Sequence, residues 1–355
     1  MFSFRTTPLQ DQLDRTLREG RIGCFCTQNC WDPAEHRWMY ELFAERGNLE
    51  AVFNPKEAEL TPGTNHIACD MEQLRRLSGV VVEIQDVGTR YFNYTKDVMH
   101  LMDMLNLLGD EAPSLYVVDH INPAGRVVEG TIPSVTCELY VPKVAHRHGL
   151  TLGELCNLYY SEIGAKFALH VISAGASDVS RQFMPWTIAP ASDIPGLFTS
   201  YLYSGGGLWN HTNINPGIGT SRPYEYIGAP FVKPSRTDSL PEDKGAQMRP
   251  CSFTPSAGLY AGQRCFGYQI MLLPGENYHS LMHTLRLIRY FSETYPMFRI
   301  SDDFYVKLAD PVLEEYIKGG ITFDIVKEHI KTEEQKWIRK AKKFTLYDDA
   351  PFRMK

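Results

Sequence analysis

Five short apolar runs recur between residues 21 and 173: RIGCFCT, LEAVFNP, VVVEIQD, SLYVVDH and ALHVIS. Helix-patterned segments separate them: PAEHRWMYELFAERG (33–47), MEQLRRLSG, TKDVMHLMDMLNLLG and LTLGELCNLYYSEIG. Strands that are apolar throughout, rather than at every second residue, are buried on both faces. Alternation with helices supplies the cover, so the order predicts an α/β unit built on a parallel sheet. The last helix carries its own start signal, with Thr151 as N-cap and Glu154 at the capping-box position.

Beyond about residue 175 the chain changes style. MPWTIAPASDIPG, SGGGLWNHTNINPGIGTSRP and KPSRTDSLPEDKG are rich in Gly, Pro, Asn and Ser, which predicts turns. FGYQIMLLP reads as a strand and YHSLMHTLRLIRYFSETYP as a helix. The expected division is an α/β domain over 1–178 and a smaller α+β domain over 179–355, as suits a chain of 355 residues.

Composition narrows the partners. The 36 basic and 42 acidic residues give a net charge of −6, with no basic block of the kind that binds nucleic acid. KWIRKAKKF (336–344) reads as a solvated helix face. No apolar run is long enough to span a membrane. The N-terminus lacks a signal-peptide core, so the compartment expected from the chain as written is cytoplasmic, or periplasmic or secreted if a leader has been removed. Cys24, Cys26 and Cys30 with His36 raise the thought of a metal site, but the strand-like RIGCFC favours core thiols. SGGG lacks the spacing of a nucleotide-binding loop. No metal and no cofactor are expected.

In parallel α/β sheets ligands sit beyond the carboxyl ends of the strands. Three polar clusters fall there: NPKEAE, QDVGTRYFNY and DHINPAG. The first holds Glu57 and Glu59, the second Asp86 and Arg90, the third Asp119 and Asn122.

EIQDVGTRYFNY, VVDHINPAGRVVEG, RHGLTLGEL and GTSRPYEYIGAPF, taken in this order, resemble the signature segments of the NamZ-like exo-β-N-acetylmuramidases. The resemblance implies a Rossmann-like domain, a smaller auxiliary domain and a cleft between them. It also implies release of a terminal N-acetylmuramic acid from peptidoglycan fragments, without nucleotide or metal. Asp86, Gly88 and Arg90 match the family's Gln-Asp-Val-Gly-x-Arg. Asp119, Asn122 and Pro123 match Asp-Arg-Pro-Asn-Pro, with His120 and Ile121 differing. Glu129–Gly130 and Arg147–His148–Gly149 match further pairs and triplets. Thr212, Asn213, Gly219, Thr220, Arg222, Pro223 and Glu225 match the end of a long Gly-rich motif. The family's Pro-Glu-His-Gly is absent: Lys56 stands at the acid position, followed by Glu57 and Glu59.

Glycoside hydrolysis usually employs two carboxyl groups flanking the scissile bond. Glu57, Glu59, Asp86 and Glu129 are therefore the candidate catalytic residues, with Glu57 and Glu59 alternatively plain solvated glutamates. Glu129, in the apolar VVEGTIP, either meets a partner such as Arg147 or serves the chemistry. Arg90 either pairs with Asp86 or meets the lactyl carboxylate of a muramic acid. Asp119 and Asn122 either shape a turn or bind sugar hydroxyls. His148, Asn213, Arg222 and Glu225 complete the candidate substrate-binding set, with Trp209, Tyr224 and Tyr226 as rings that stack on a sugar or fill the core. A non-catalytic relative binding amino sugars in the same cleft is the alternative function.

Overall fold

In the computed structural model the described residues are 1–5, 9, 13–32, 35–55, 69–135, 137–174, 188–235, 239–273, 277–347 and 351–354. Along the chain run β1 (Phe2–Arg5), α1 (Arg15–Glu19) and β2 (Ile22–Cys26). A short hairpin of β3 (Trp31–Asp32) and β4 (Arg37–Trp38) leads into α2 (Met39–Arg46). There follow β5 (Leu49–Phe53), α3 (Met71–Arg76), β6 (Gly79–Glu83), α4 (Asn93–Leu108) and β7 (Ser114–Asp119). The first half closes with β8 (Val127–Val128), α5 (Leu152–Glu162) and β9 (Leu169–Ser173).

Six of these strands form a parallel sheet in the order β1-β9-β7-β6-β2-β5. Both faces are buried, which explains the unbroken apolar runs. Val80 and Val82 of β6 point into a cluster with Leu74 of α3 and residues of α4 and α5. Val81 between them faces the opposite cluster, with Leu17 of α1 and Leu42 and Phe43 of α2. Cys24, Cys26 and Cys30 belong to that second cluster and are buried. The predicted α/β class is the observed one.

One expected helix starts late. Residues 33–47 were predicted helical, yet Trp31 pairs with Trp38 and Asp32 with Arg37 across a hairpin. His36 takes a left-handed φ of 51° in the turn. Two tryptophans facing each other across antiparallel strands are worth more there than on a helix surface. The capping box on Thr151 is as predicted: its hydroxyl accepts from Glu154 N–H at 3.2 Å, and Glu154 accepts from Thr151 N–H at 2.9 Å.

The second half carries α6 (Leu197–Gly206), then the antiparallel sheet β10 (Tyr226–Ala229), β11 (Ala246–Phe253) and β12 (Cys265–Leu272) in the order β10-β12-β11. Helices α7 (Ser280–Thr294), α8 (Asp303–Leu308), α9 (Pro311–Lys318) and α10 (Phe323–Ala341) follow, and β13 (Arg353–Met354) pairs with β8. The glycines of SGGG, predicted as a turn, instead end α6 where it presses on α7. A Cβ at Gly205 would lie 2.4 Å from the Ser280 carbonyl, and Gly205 N–H donates to the Ser280 hydroxyl at 3.0 Å. KWIRKAKKF is not wholly a solvated face: Trp337 is fully buried and its indole N–H donates to the His148 carbonyl at 2.8 Å. The apolar cluster under α4 runs on to α7, α9 and α10. No helix among the described residues is long and apolar enough to cross a membrane.

Candidate functional site

The polar residues described at the strand ends bind neighbouring backbone and side-chain groups of the loops around them. Asp86 accepts from Gly88 N–H at 2.8 Å and the Thr95 hydroxyl at 2.6 Å, and lies 3.4 Å from His148 Nε2. Gly88 has φ 83°, and a Cβ there would meet Asn122 Oδ1 at 2.6 Å, so the glycine of this turn has a steric reason. Asn122 donates to the Leu150 carbonyl at 2.8 Å and accepts from Ala124 N–H at 2.9 Å. His148 Nδ1 accepts from Leu150 N–H at 3.2 Å. Asp119 accepts from the Thr151 hydroxyl (2.7 Å), Gly153 N–H (2.8 Å) and the Tyr347 hydroxyl (2.8 Å). Burial, helped by the charge of Glu154, pushes its carboxyl up to about 6 against those three donors.

Arg90 is held inside the protein. The guanidinium is fully buried and donates to the carbonyls of Thr131 (2.9 Å), Leu308 (2.8 Å) and Lys307 (3.3 Å), with His146 Nε2 at 3.0 Å. Neither pairing with Asp86 nor an opening toward a sugar carboxylate is among these contacts. Glu129, also fully buried, meets Arg147 at 3.0 Å and accepts from the Ser280 hydroxyl at 2.6 Å and Leu281 N–H at 3.3 Å. His279 stands between Glu129 (3.7 Å) and Glu334 (2.9 Å). The pair is sealed from solvent, and through Ser280, Leu281 and His279 it ties the first half of the chain to the second.

The remaining expected residues are scattered. Asn213 accepts from Arg299 N–H at 2.7 Å and donates to the Met297 carbonyl at 2.8 Å. Arg222 and Glu225 pair at 3.0 Å near the surface. Trp209 and Tyr224 are core, and Tyr226 stacks on Phe253. Glu57 and Glu59 lie outside the described residues.

A cavity of about 250 Å³, with polar and apolar walls, lies instead beyond the ends of β2, β6, β7 and β9. Its chemistry comes from Asn29, Trp31, Asp32, Arg37, Glu83 and His120. The chain proceeds from β2 outward to β5 and from β6 the other way to β7 and β9. The strand order therefore reverses between β2 and β6, where this class of sheet opens a ligand crevice. Glu83 closes β6, and its carboxylate lies 3.0 Å from His120 Nε2, the residue after β7. Their side chains are 14% and 24% exposed, so both remain within reach of a ligand. Burial alone would lower the imidazole's pKa, but the hydrogen bond and charge of Glu83, with the charge of Asp119, raise it above the ordinary value. The Cys30 thiol donates to the Glu83 carbonyl at 2.9 Å. Gln28 and Asn29 donate to the carbonyls of Ala189, Pro190 and Ile188 at 2.7–3.0 Å, which fastens the second half of the chain beside this rim.

Glu83 and His120 were not among the expected site residues. The available signal was positional: each stands where an apolar strand ends, at the reversal of strand order. No group of three His, Cys, Asp or Glu among the described residues is placed to hold a metal ion.

Fold and cavity together define an α/β protein with a carboxylate–imidazole pair at the mouth of its sheet. Residues 64–192 match the family description exo-beta-N-acetylmuramidase NamZ, N-terminal, and residues 201–347 its C-terminal counterpart. The chain belongs to the NamZ family. It is 27% identical over 290 residues to the peptidoglycan beta-N-acetylmuramidase NamZ of Bacillus subtilis (strain 168), covering 78% of this chain and 69% of that one. Two crystal structures of DUF1343 family proteins from Bacteroides fragilis NCTC 9343 share the fold. One has a TM-score of 0.78 at 18% identity, over 96% of this chain and 97% of that one. The other has a TM-score of 0.74 at 20% identity, over 94% and 96%.

Proposed function

We propose that this chain is a glycoside hydrolase that removes one terminal N-acetylmuramic acid, or a related amino sugar, from peptidoglycan fragments. The observation that carries the reading is the Glu83–His120 pair at 3.0 Å in the switch-point cavity of a NamZ-family chain. A cavity of about 250 Å³ is small beside the roughly 300–1,000 Å³ of sites for drug-sized ligands, which suits one end sugar.

The chemistry follows from the two groups. Glu83 raises the pKa of the His120 imidazole, and the protonated form of the ring donates its proton to the glycosidic oxygen as the bond to the anomeric carbon breaks. Water adds at that carbon, and its proton passes to a carboxylate of the lining, Asp32 or Glu83. The products are the free sugar and the shortened fragment. Glu57 or Glu59 stays a candidate for a further acid.

The test is hydrolysis of a chromogenic β-N-acetylmuramide, with the matching glucosaminide alongside, by wild type, His120→Asn and Glu83→Gln. A positioned acid contributes about 10²–10⁴-fold, so either variant should lose that much kcat while staying folded. Full activity in both variants would move the chemistry elsewhere, with Glu57→Gln and Glu59→Gln next in line. A wild type that binds muropeptide and hydrolyses neither sugar would leave the cavity as a binding site only.

A further inference from the structure

We propose that the β3–β4 hairpin is the sugar-recognition element of this cavity, with Trp31 giving one pyranose ring a face to stack on and Arg37 meeting an acidic substituent of that sugar. This rests on the reading of the cavity as a glycosidase site and adds what selects its substrate.

The placement of Trp31 carries the first half. Trp209 and Trp337 are sealed in the core, whereas Trp31 is half-buried and lines the cavity beside Asn29, Asp32, Arg37, Glu83 and His120. Its indole is held by neighbours: Trp38 packs edge-on against it with centroids 5.4 Å apart at 69°, and Trp38 in turn stacks on Tyr40 at 6.0 Å and 13°. A large ring fixed at the wall of the cavity offers apolar surface beside hydrogen-bonding groups. The C–H face and hydroxyl rim of a sugar require that combination.

Charge carries the second half. The lining holds two carboxylates, Asp32 and Glu83, and two basic side chains, Arg37 and His120. An anionic sugar entering beside two carboxylates is repelled unless a cation answers it, and His120 is already engaged by Glu83. Among the partners of Arg37 are Glu45 at 3.3 Å and Glu35 at 3.7 Å, both exposed. Such water-screened pairs are weak, and a guanidinium presents five N–H donors in a fork that suits a carboxylate. A neutral amino sugar has no use for that fork, so Arg37 should separate acidic from neutral sugars while Trp31 should not.

Binding of N-acetylmuramic acid and of N-acetylglucosamine is measured by calorimetry beside turnover of the two chromogenic glycosides, for wild type, Trp31→Ala, Trp31→Phe, Arg37→Gln and Arg37→Lys. Trp31→Ala should weaken both sugars about tenfold, with Trp31→Phe, which keeps an aromatic partner for Trp38, between it and wild type. Arg37→Gln should weaken the muramic acid about 10- to 100-fold, the scale of a charge-assisted hydrogen bond, and leave the glucosamine within about twofold; Arg37→Lys should recover part of the loss. Unchanged binding in both Trp31→Ala and Arg37→Gln, or a wild type that binds neither sugar, overturns the proposal. The pattern appearing in binding without any turnover sinks the hydrolase reading and leaves the recognition element standing; turnover indifferent to the hairpin does the reverse.

Discussion

Replacing Glu129 by Gln tests whether the polar rim is machinery or masonry. Glu129 and Arg147 are 3.0 Å apart and both fully buried. Gln keeps the shape and one acceptor for the Ser280 hydroxyl, now 2.6 Å from Oε2, but removes the charge that answers Arg147. What remains to Arg147 is the Ser204 hydroxyl at 3.2 Å, the Tyr201 carbonyl, and the Tyr201 ring 5.2 Å below its guanidinium. Breaking one side of a buried pair costs about 3–5 kcal/mol, a large part of the ~5–15 kcal/mol typical of a domain. Removing both charges with Glu129→Leu and Arg147→Met should cost less, about 1–3 kcal/mol, mainly for the Ser280 and Leu281 donors left without an acceptor. Urea unfolding of the three variants gives these values, and turnover of the molecules still folded gives the second readout. A Glu129→Gln protein within about 1 kcal/mol of wild type yet dead in turnover would refute the bracing argument and return Glu129 to the chemistry.

Three further outcomes are expected. The Lys307 ammonium, pushed down from 10.5 to about 8 by burial and by the charges of Lys96 and Arg90, is a cost to the fold below pH 8 that vanishes above about pH 10.5. The 2.5-unit difference is worth about 3 kcal/mol; after loss of its contact with the Tyr91 ring, about 0.5–1 kcal/mol, Lys307→Met should stabilise by about 2 kcal/mol at pH 7, and the gain should disappear at pH 11 in unfolding titrations. Gly205→Ala forces a methyl onto the Ser280 backbone and should destabilise by about 1–3 kcal/mol, seen as a lowered thermal midpoint. If His120 donates the proton, kcat falls as pH rises through its raised pKa, so the basic limb should lie above the ordinary imidazole value of about 6.5 and move downward in Glu83→Gln.

The parallel sheet was legible because its strands are buried on both faces and therefore unbroken in apolarity, as Val80, Val81 and Val82 illustrate. The capping box at Thr151 was legible because it is local. The hairpin at Trp31–Trp38 was not, since its pairing depends on two rings meeting across a turn rather than on any period. Gly205 misled for a related reason: a glycine admitted for close approach of a helix not yet synthesised looks the same in sequence as one admitted for a turn. The site residues proved harder still. Asp86, Asn122 and Asp119 are conspicuous in sequence because strand-end loops need internal hydrogen-bonding groups, and they are taken up by Gly88, Leu150 and Thr151 of those loops. Glu83 hides in an apolar strand, and only the strand order reveals that it faces the crevice.

Strand β9 lies between β7 and β1, with Phe2 opposite Leu169. The first strand of the chain thus finds its neighbour only when the last strand of that sheet arrives, and the entropy of closing so long a loop must be met before any rung forms. Until β9 inserts, β7 is an open edge and β1 has no seat, so the nascent sheet carries an unpaired flank of the kind that invites intermolecular pairing. One insertion then seals both gaps, and it is this step that should set the pace of folding.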